Sequence, residues 1–566
     1  MKNPVRILGP DGRPLPSSQS RVSMLNGSSG VPYDAADQFS DTMANWQPSL
    51  WSPDNEINPS RNQVVARVRD MVRNDGWASG SVTRILDNAV GASFRPLAKV
   101  DYRTLALMTG NPQFDAKWAD EYGRAIESGW RIWANDPNRY CDVERKKTVA
   151  QLLRLGFRHK LTDGDALCVM QYRPDRLGYG RAQYATTMQI IDPDRLSNPQ
   201  EKFDMPNIRG GIEIDEDGVP IAYHIRKAHV GDWWSGKETM TWERIQRETG
   251  WGRPIVIHDF DSDRASQHRG ISIFTPIVQR LKMLIKYDEV ELQSSILNSI
   301  FAAFITSPYD PGLVADSLDT GDDVIKYQKM RREYHDEKRL SLQSGARIPI
   351  LAPGESMTAL NAVRPTSNFV AFESAALRNV AASLGISTQQ LTQDWSDVNY
   401  SSARSAMLEA WKTLTRRRDD FATGFAQPIL SCFIEELHDL GEVPLPDGAP
   451  DFLAAKAAYC RAQWMGPGRG WVDPVAEKKG AILGMEAGLS TLEMEAAENV
   501  GEDWEEFFSI MLFNSVLNEN PVVMPVYVIL VVIILHEKNS VLCLYRMLMG
   551  LSMGLSFSYR EALCQR

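Results

Sequence analysis

The stretch from Ile271 to Ile305 does most to limit what this chain can become. Ile277, Leu281, Leu284, Leu292, Ile296, Ile300 and Phe304 recur every three or four residues, and Asp288 is the polar member of the same row. That spacing lays down one narrow apolar stripe on a helix. Thirty residues of helix span roughly 45 Å. A helix of that length with so thin a stripe packs along its flank against neighbouring helices or against copies of itself.

Around it the periodicity divides the chain of 566 residues into seven segments. Residues 1–60 are rich in Pro, Ser, Asn and Gly and read as a flexible N-terminal arm, with Trp46 and Trp51 as anchors that pin it to a neighbouring surface. From Arg61 to residue 207 the pattern is α/β. Val64, Val68, Met71 and Val72 share one helical face, and Val82, Ile85, Leu86 and Val90 share another, with Asn74–Gly76 as the break and Gly91 as the stop. Two further helices follow, and "DALCVMQYR" reads as a strand. Between 208 and 260 the period falls to two, and Asp217-Gly218 marks a hairpin in this β-rich subdomain.

The long helix occupies 261–306, a charged segment 307–345, and a second helical region 346–508. Within the last, Asn399 caps a helix running to about 440. Met407, Trp411, Leu414, Phe421, Phe425 and Ile429 form its buried side, Pro428 kinks it, and Arg416, Arg417 and Arg418 straddle the exposed side. Those arginines read as a solvated face or, more sharply, as phosphate contacts. The fold class is α+β, mainly helical.

Chemistry is sparse. Lys and Arg total 62 against 72 Asp and Glu, a formal charge of −10, which excludes a chain that grips nucleic acid over its whole surface. Six scattered cysteines suggest neither disulfides nor a zinc site but buried free thiols in a reducing compartment. The N-terminus has no secretory signal, so synthesis is cytosolic. Eight histidines form no helical ligand pair, no G-x-S-x-G elbow occurs, and the carboxylates of "IDPD" and "DSD" read as solvated turn residues. "GDWWSGKET", Gly231–Thr239, stands one residue from a phosphate loop. Glu238 replaces the hydroxyl that would meet Mg²⁺, and Trp233 and Trp234 crowd a cradle that needs small residues. A tryptophan-bearing loop that contacts a partner is the better reading. No cofactor, metal or catalytic group is expected.

Nine segments in order, among them "RVRDMVRNDGWASGSVTRILDNAVGASFRP", "QIIDPDRLSNP", "VIHDFDSDRASQHRGIS" and "NYSSARSAMLEAWKTL", resemble the lambda-type portal proteins of tailed bacteriophages from about residue 61 to 508. The resemblance implies a homo-oligomeric ring of twelve subunits at one capsid vertex. Through it the terminase large subunit drives double-stranded DNA, which later leaves by the same route, and the chain itself is no enzyme. Partners implied are terminase, the major capsid and scaffold proteins, head-tail connector proteins and DNA in non-specific transit. The location is the virion, with assembly in the host cytoplasm.

By the same likeness 61–207 is wing, 208–260 a clip whose Trp233 and Trp234 meet terminase or connector, 261–306 the stem, 307–345 the tunnel side, and 346–508 wing and crown. Candidate tunnel residues are Lys282, Lys286, Lys326, Lys329, Arg331 and Arg332. Lys282 and Lys286 either face DNA or pair with acids of a neighbour, and Arg416–Arg418 serve subunit contacts.

Residues 509–566 depart from the family's polar, charged ending. Val522–Leu535 carries no charge, falls short of the roughly 20 residues of a spanning helix, and contains Pro525. This composition reads as a replaced or frame-shifted, aggregation-prone end. Two alternatives stand beside the portal reading. One is a nucleotide-hydrolysing enzyme built on Gly231–Thr239; the other is a membrane-associated scaffold anchored by the tail.

Overall fold

A computed structural model of the chain describes residues 33–36, 43–300, 367–396, 399–470 and 473–501, with short pieces at 304–306, 326, 329–330, 333, 339–341, 347–349, 356–358 and 504. The apolar tail after residue 508 lies outside the described residues. Among those described, no helix is long and apolar enough to cross a membrane.

Helix α1 (Pro53–Asn74) begins ahead of the expected start at Arg61. Ser52 caps it through the Asn55 amide, Pro53 takes the first turn, and Asp54 and Glu56 face the positive end of the helix. The arm is therefore shorter than composition suggested. Asp75 then both ends α1 and caps α2 (Gly76–Ala89), which explains the tight break between them. Strand β1 (Arg95–Ala98), α3 (Tyr102–Thr109), α4 (Ala116–Ala134) and α5 (Val149–Asp163) follow, the last opened by a Thr148–Gln151 capping box.

Strand β2 (Asp165–Tyr172) leaves α5 directly and pairs antiparallel with β3 (Thr186–Ile190). Strands β4 (Ile208–Arg209), β5 (Ile212–Ile214), β6 (Pro220–Arg226) and β7 (Trp242–Gln246) form a four-stranded antiparallel sheet. The hairpin between β5 and β6 turns at Asp217-Gly218, as expected, with Gly218 at φ +85°. The stretch 208–260 is not one sheet, however. Strand β8 (Val256–Phe260) crosses to the far edge of β2, so the order there is β3-β2-β8. Its alternation fits either sheet, and only the tertiary route selects one.

Helix α6 (Val278–Ile300) is shorter than the 271–305 run, because 272–277 turns about Ser272 before the helix starts. Beyond it, β9 (Phe304–Thr306) pairs antiparallel with β12 (Ser356–Thr358), and between them β10 (Arg339–Ser341) pairs with β11 (Arg347–Pro349). Helices α7 (Ser367–Leu384) and α8 (Thr388–Thr392) lead to α9 (Tyr400–Phe421), capped by Asn399 as expected. The kink assigned to Pro428 is a π turn at Ala422–Ala426, followed by α10 (Gln427–Asp439). Proline near the start of α10 lacks the amide that would continue the ladder. Strand β13 (Ala462–Met465) closes on β1, and α11 (Pro474–Glu486) and α12 (Leu492–Glu495) come last.

One large core unites helices α1 to α10. Phe157, Phe421, Phe425 and Phe433 are fully buried, and Trp133 stacks on Phe433 at 4.8 Å. His438 is part of this core, with Nε2 2.8 Å from the Tyr122 hydroxyl. Burial lowers its pKa to about 4. A second, smaller cluster, including Leu167, Ile212, Tyr223 and Val256, seats the four-stranded sheet on β2 and β8. The four described cysteines, Cys141, Cys168, Cys432 and Cys460, are free and buried, in keeping with the sequence reading. The side chains of Trp46 and Trp51, by contrast, are exposed.

Candidate functional site

Two places in the structure carry charge in a way that matters. The first is the helix pair α6 and α7. Ile277, Leu281 and Leu284 bury the first half of the stripe against the body of the chain. Tyr287 then stacks on Phe369 at 5.4 Å and meets Phe372 edge-on at 5.1 Å, which sets α7 beside α6. At about 100° per residue, Lys282 and Lys286 stand one turn apart and face away from the buried row. Both are exposed. Met283 and Val290 flank them on one side and Leu292 on the other, all three exposed.

Where the stripe leaves the body, Asp288 falls on its inner side. Burial, and then Asp75, raise the pKa of Asp288; burial, and then Asp288, raise that of Glu373 on α7. The pair thus crosses the α1–α2 junction through a crowded set of carboxylates.

Of the other candidate tunnel residues, Lys326 and Lys329 are exposed in helical pieces, with Lys329 Nζ 4.0 Å from Glu333. Arg331 and Arg332 lie outside the described residues.

The loop Gly231–Thr239 joins β6 to β7 through two short 3₁₀ turns, Trp233–Ser235 and Glu238–Met240. A phosphate loop needs a helix of real length behind its lysine, whose first amides hold the anion. Here the next element is a strand, so the nucleotide alternative loses its geometry. Trp234 is exposed. The Trp233 side chain lies outside the described residues.

The arginine triplet is not the uniform solvated face expected. Arg416 is exposed and donates to Asp420 Oδ2 at 2.9 Å. Arg417 turns inward to the Leu384 carbonyl at 2.8 Å. Arg418 reaches the carbonyls of Ala89 (2.7 Å), Asn88 (3.0 Å) and Pro467 (3.0 Å), and lies over the Trp411 ring. These two cations hold carbonyls at the C-terminal ends of α7 and α2 in their own subunit. Their stems follow the buried side of α9 closely enough for the heads to reach across it.

The second place was not visible in the sequence. Asp165, fully buried, accepts from Arg61 Nη2 (2.8 Å), Arg269 Nε (2.7 Å) and the Gly270 amide (2.6 Å). Burial alone would raise its carboxyl, but Arg269 and then Arg61 hold it far below the ordinary range. Arg269 also donates to the carbonyls of Leu196, Gly210 and Pro193. Next to this, Arg69 sits among Asp163, Asp192 and Asp194 at 2.6–2.9 Å. Asp163 is also held by His159, and despite burial its pKa falls to about 2.

Asp192 and Asp194, read as solvated, are half-buried ion-pair partners. His159, Asp163 and Asp192 cluster closely enough to hold a metal ion, but Arg69 already fills the cation's role there. The approach is so close that a Cβ on Gly270 would lie 2.0 Å from the Gly164 carbonyl oxygen, and Gly164 itself has φ +93°. A signal existed: "TDGD" and "QHRG" place a charge beside a glycine in both segments.

Comparison with known proteins gives one consistent result. A family model described as phage portal protein, lambda family, matches residues 39–418. The portal protein of Escherichia phage N15 is 30% identical over 510 residues, covering 89% of this chain and 91% of that protein. Portal protein B of Escherichia phage lambda is 29% identical over 518 residues, 90% and 92% of the two chains. Among solved structures, the neck of an empty gene transfer agent particle, computed with C6 symmetry, is similar over 75% of this chain and 90% of that one, at 13% identity and TM-score 0.42.

Proposed function

This chain belongs to the lambda family of phage portal proteins, and from that premise we propose that twelve copies close into a ring around the path of double-stranded DNA. Its function is that of a portal protein, a virion component in DNA packaging. The finer reading is that the ring forms in the host cytoplasm with scaffold and major capsid proteins, receives DNA from the terminase large subunit, and later carries head-tail connectors. It catalyses nothing.

The observation that carries the ring is the outer surface of α6. A helix with exposed apolar residues on two flanks and two lysines between them suits a member of a closed circle. Met283 and Val290 meet one neighbour, Leu292 meets the other, and Lys282 and Lys286 turn to the bore. Heterologous contacts of this sort generate rings when the rotation closes. Twelve chains at −10 sum to about −120 (12 × −10), so the few lysines touch phosphate without a basic lining that would hold the duplex by counterion release. Lys326, Lys329, Arg331 and Arg332 would add to the same set, and Arg416, the exposed member of its triplet, serves a subunit contact.

For the docking of terminase and connectors the surface is the Trp233–Trp234 loop, where Trp234 is exposed. Substituting both tryptophans while rings remain intact tests it: loss of terminase binding supports the loop, and undiminished binding removes it. The ring itself is tested by electron microscopy of the purified chain viewed along its axis. Annular particles with an open centre are expected; only single compact particles at micromolar concentration would end the reading.

A further inference from the structure

The turn of the β5–β6 hairpin stands at the end of its sheet, with Asp215, Glu216 and Asp217 exposed. Most of its hydrogen bonds close on themselves. The Gly218 amide donates to the Asp215 carbonyl, and the Asp217 and Val219 amides donate to the Asp215 carboxylate. Among the described residues, one bond leaves the turn: His268 Nε2 lies 3.2 Å from the Gly218 carbonyl oxygen. The other ring nitrogen, Nδ1, lies 2.8 Å from Asp54 Oδ2 at the start of α1. A single imidazole therefore bridges the hairpin and the helix.

Both oxygens are acceptors. A peptide carbonyl never donates, and Asp54 already accepts from the His268 amide at 3.0 Å and from Arg209 Nη1 at 3.1 Å. Burial would raise the Asp54 carboxyl, but these bonds bring it below its ordinary value, so it is ionised. A neutral imidazole carries one N–H and satisfies one of the two oxygens; the imidazolium carries two and satisfies both. Asp54 and His268 are 2% and 7% exposed, so a bond lost here is costly. Charges face the ring from each side: Asp54 on α1, Arg209 on β4, and Asp215, Glu216 and Asp217 on the hairpin. Around the cavity that His268 lines stand also His258 on β8, and Arg247 and Glu248 just past β7. Arg269, next along the loop, is committed to Asp165. The bond to Asp54 is the largest effect and raises the ring's pKa above its ordinary value, against burial and Arg209.

We propose that His268 is a proton-operated clasp, which as an imidazolium ties the β5–β6 turn to the start of α1 and, on losing one proton to solvent, lets the turn swing away. Nδ1 keeps its proton for the Asp54 carboxylate, and Nε2 gives up the one that holds Gly218. The start of α1 therefore stays in place while the turn is freed. That turn is one wall of a cavity of 1040 Å³, shared with β8 and the π turn, so its release widens the cleft. The folded chain raises the ring's pKa, so the tie is complete below pH 6.5 and is lost as pH rises through the folded value. The clasp is built within one subunit and does not depend on the ring reading.

The test is hydrogen exchange of the full chain, followed by mass spectrometry from about pH 6 to about pH 9, with each rate divided by the intrinsic amide rate at that pH. Amides of 215–221 should lose about 10-fold in protection as pH rises, while those of 165–172 on β2 hold constant. H268Q has a donor but no proton to lose in this range, so its hairpin should show one protection at every pH. A parent hairpin whose protection does not change with pH overturns the clasp, and so does the same pH slope in H268Q. An equal loss across 165–172 would mean that the whole body loosens, which overturns it too. Should H268Q fail to fold, the parent titration and its internal comparison with β2 decide alone.

Discussion

The buried charges around Asp165 and the exposed face of α6 are opposite solutions to the same problem of placing cations. Around Asp165, three arginines are enclosed by carboxylates and carbonyls of their own chain, with every bond made before any partner arrives. On α6, Lys282 and Lys286 stand among apolar side chains that are exposed among the described residues. The first region is complete alone and holds α1, α5, β2 and the 193–211 loops in register. The second is proposed above as the face that meets neighbouring subunits. On that proposal the chain separates what folds the subunit from what joins subunits.

The sharpest way to break that separation is Asp165→Ala. It leaves Arg61 and Arg269 buried without their counter-charge, and a loss of about 3–5 kcal/mol is expected in chemical unfolding. A loss under 1 kcal/mol would mean that the cluster is not what locks the body. Gly270→Ala acts at the same place through sterics. Its Cβ would meet the Gly164 carbonyl at 2.0 Å, so about 1–3 kcal/mol should be lost as the two segments are driven apart.

Val290→Asp probes the other region. Subunit stability should stay within about 0.5 kcal/mol, as for a surface change, while assembly followed by light scattering drops at least about 10-fold. Equal assembly would place the subunit contact elsewhere.

Acid should strike the body of the subunit in two stages, first in the helical core and then in the charge cluster. His438 is protonated below pH 6.5 when unfolded but only near pH 4 when folded, so the native state binds fewer protons and stability falls as pH drops across that window. Asp163 has the depressed pKa of a stabilised carboxylate, so its contribution is present above 3.8 and is lost as pH falls toward about 2. His438→Gln should flatten the first stage and leave the second. The smallest effect belongs to Arg416→Ala, whose exposed pair with Asp420 is worth no more than about 0.5 kcal/mol to the subunit.

Much of the architecture was legible from local pattern. The faces of α1 and α2, the Asn399 cap, the Asp217-Gly218 hairpin and the free buried thiols all follow from near neighbours in sequence. The stripe on α6 was legible as a stripe, yet its halves meet different surroundings, which periodicity cannot tell. What escaped was long-range. Arg69 meets carboxylates 94 to 125 residues away, so Asp192 and Asp194 look like ordinary turn residues until the fold delivers their partner. Arg417 and Arg418 misled for the same reason, since backbone carbonyls leave no mark in a sequence. Strand β8 read as part of the neighbouring sheet because alternation does not name a partner.

The pairing of Phe304–Thr306 with Ser356–Thr358 also brings positions 306 and 356 side by side. Strands so paired lie about 5 Å apart whatever the length of chain that joins them. This short ladder, and not the span it closes, therefore sets the distance between the places where the chain departs and returns.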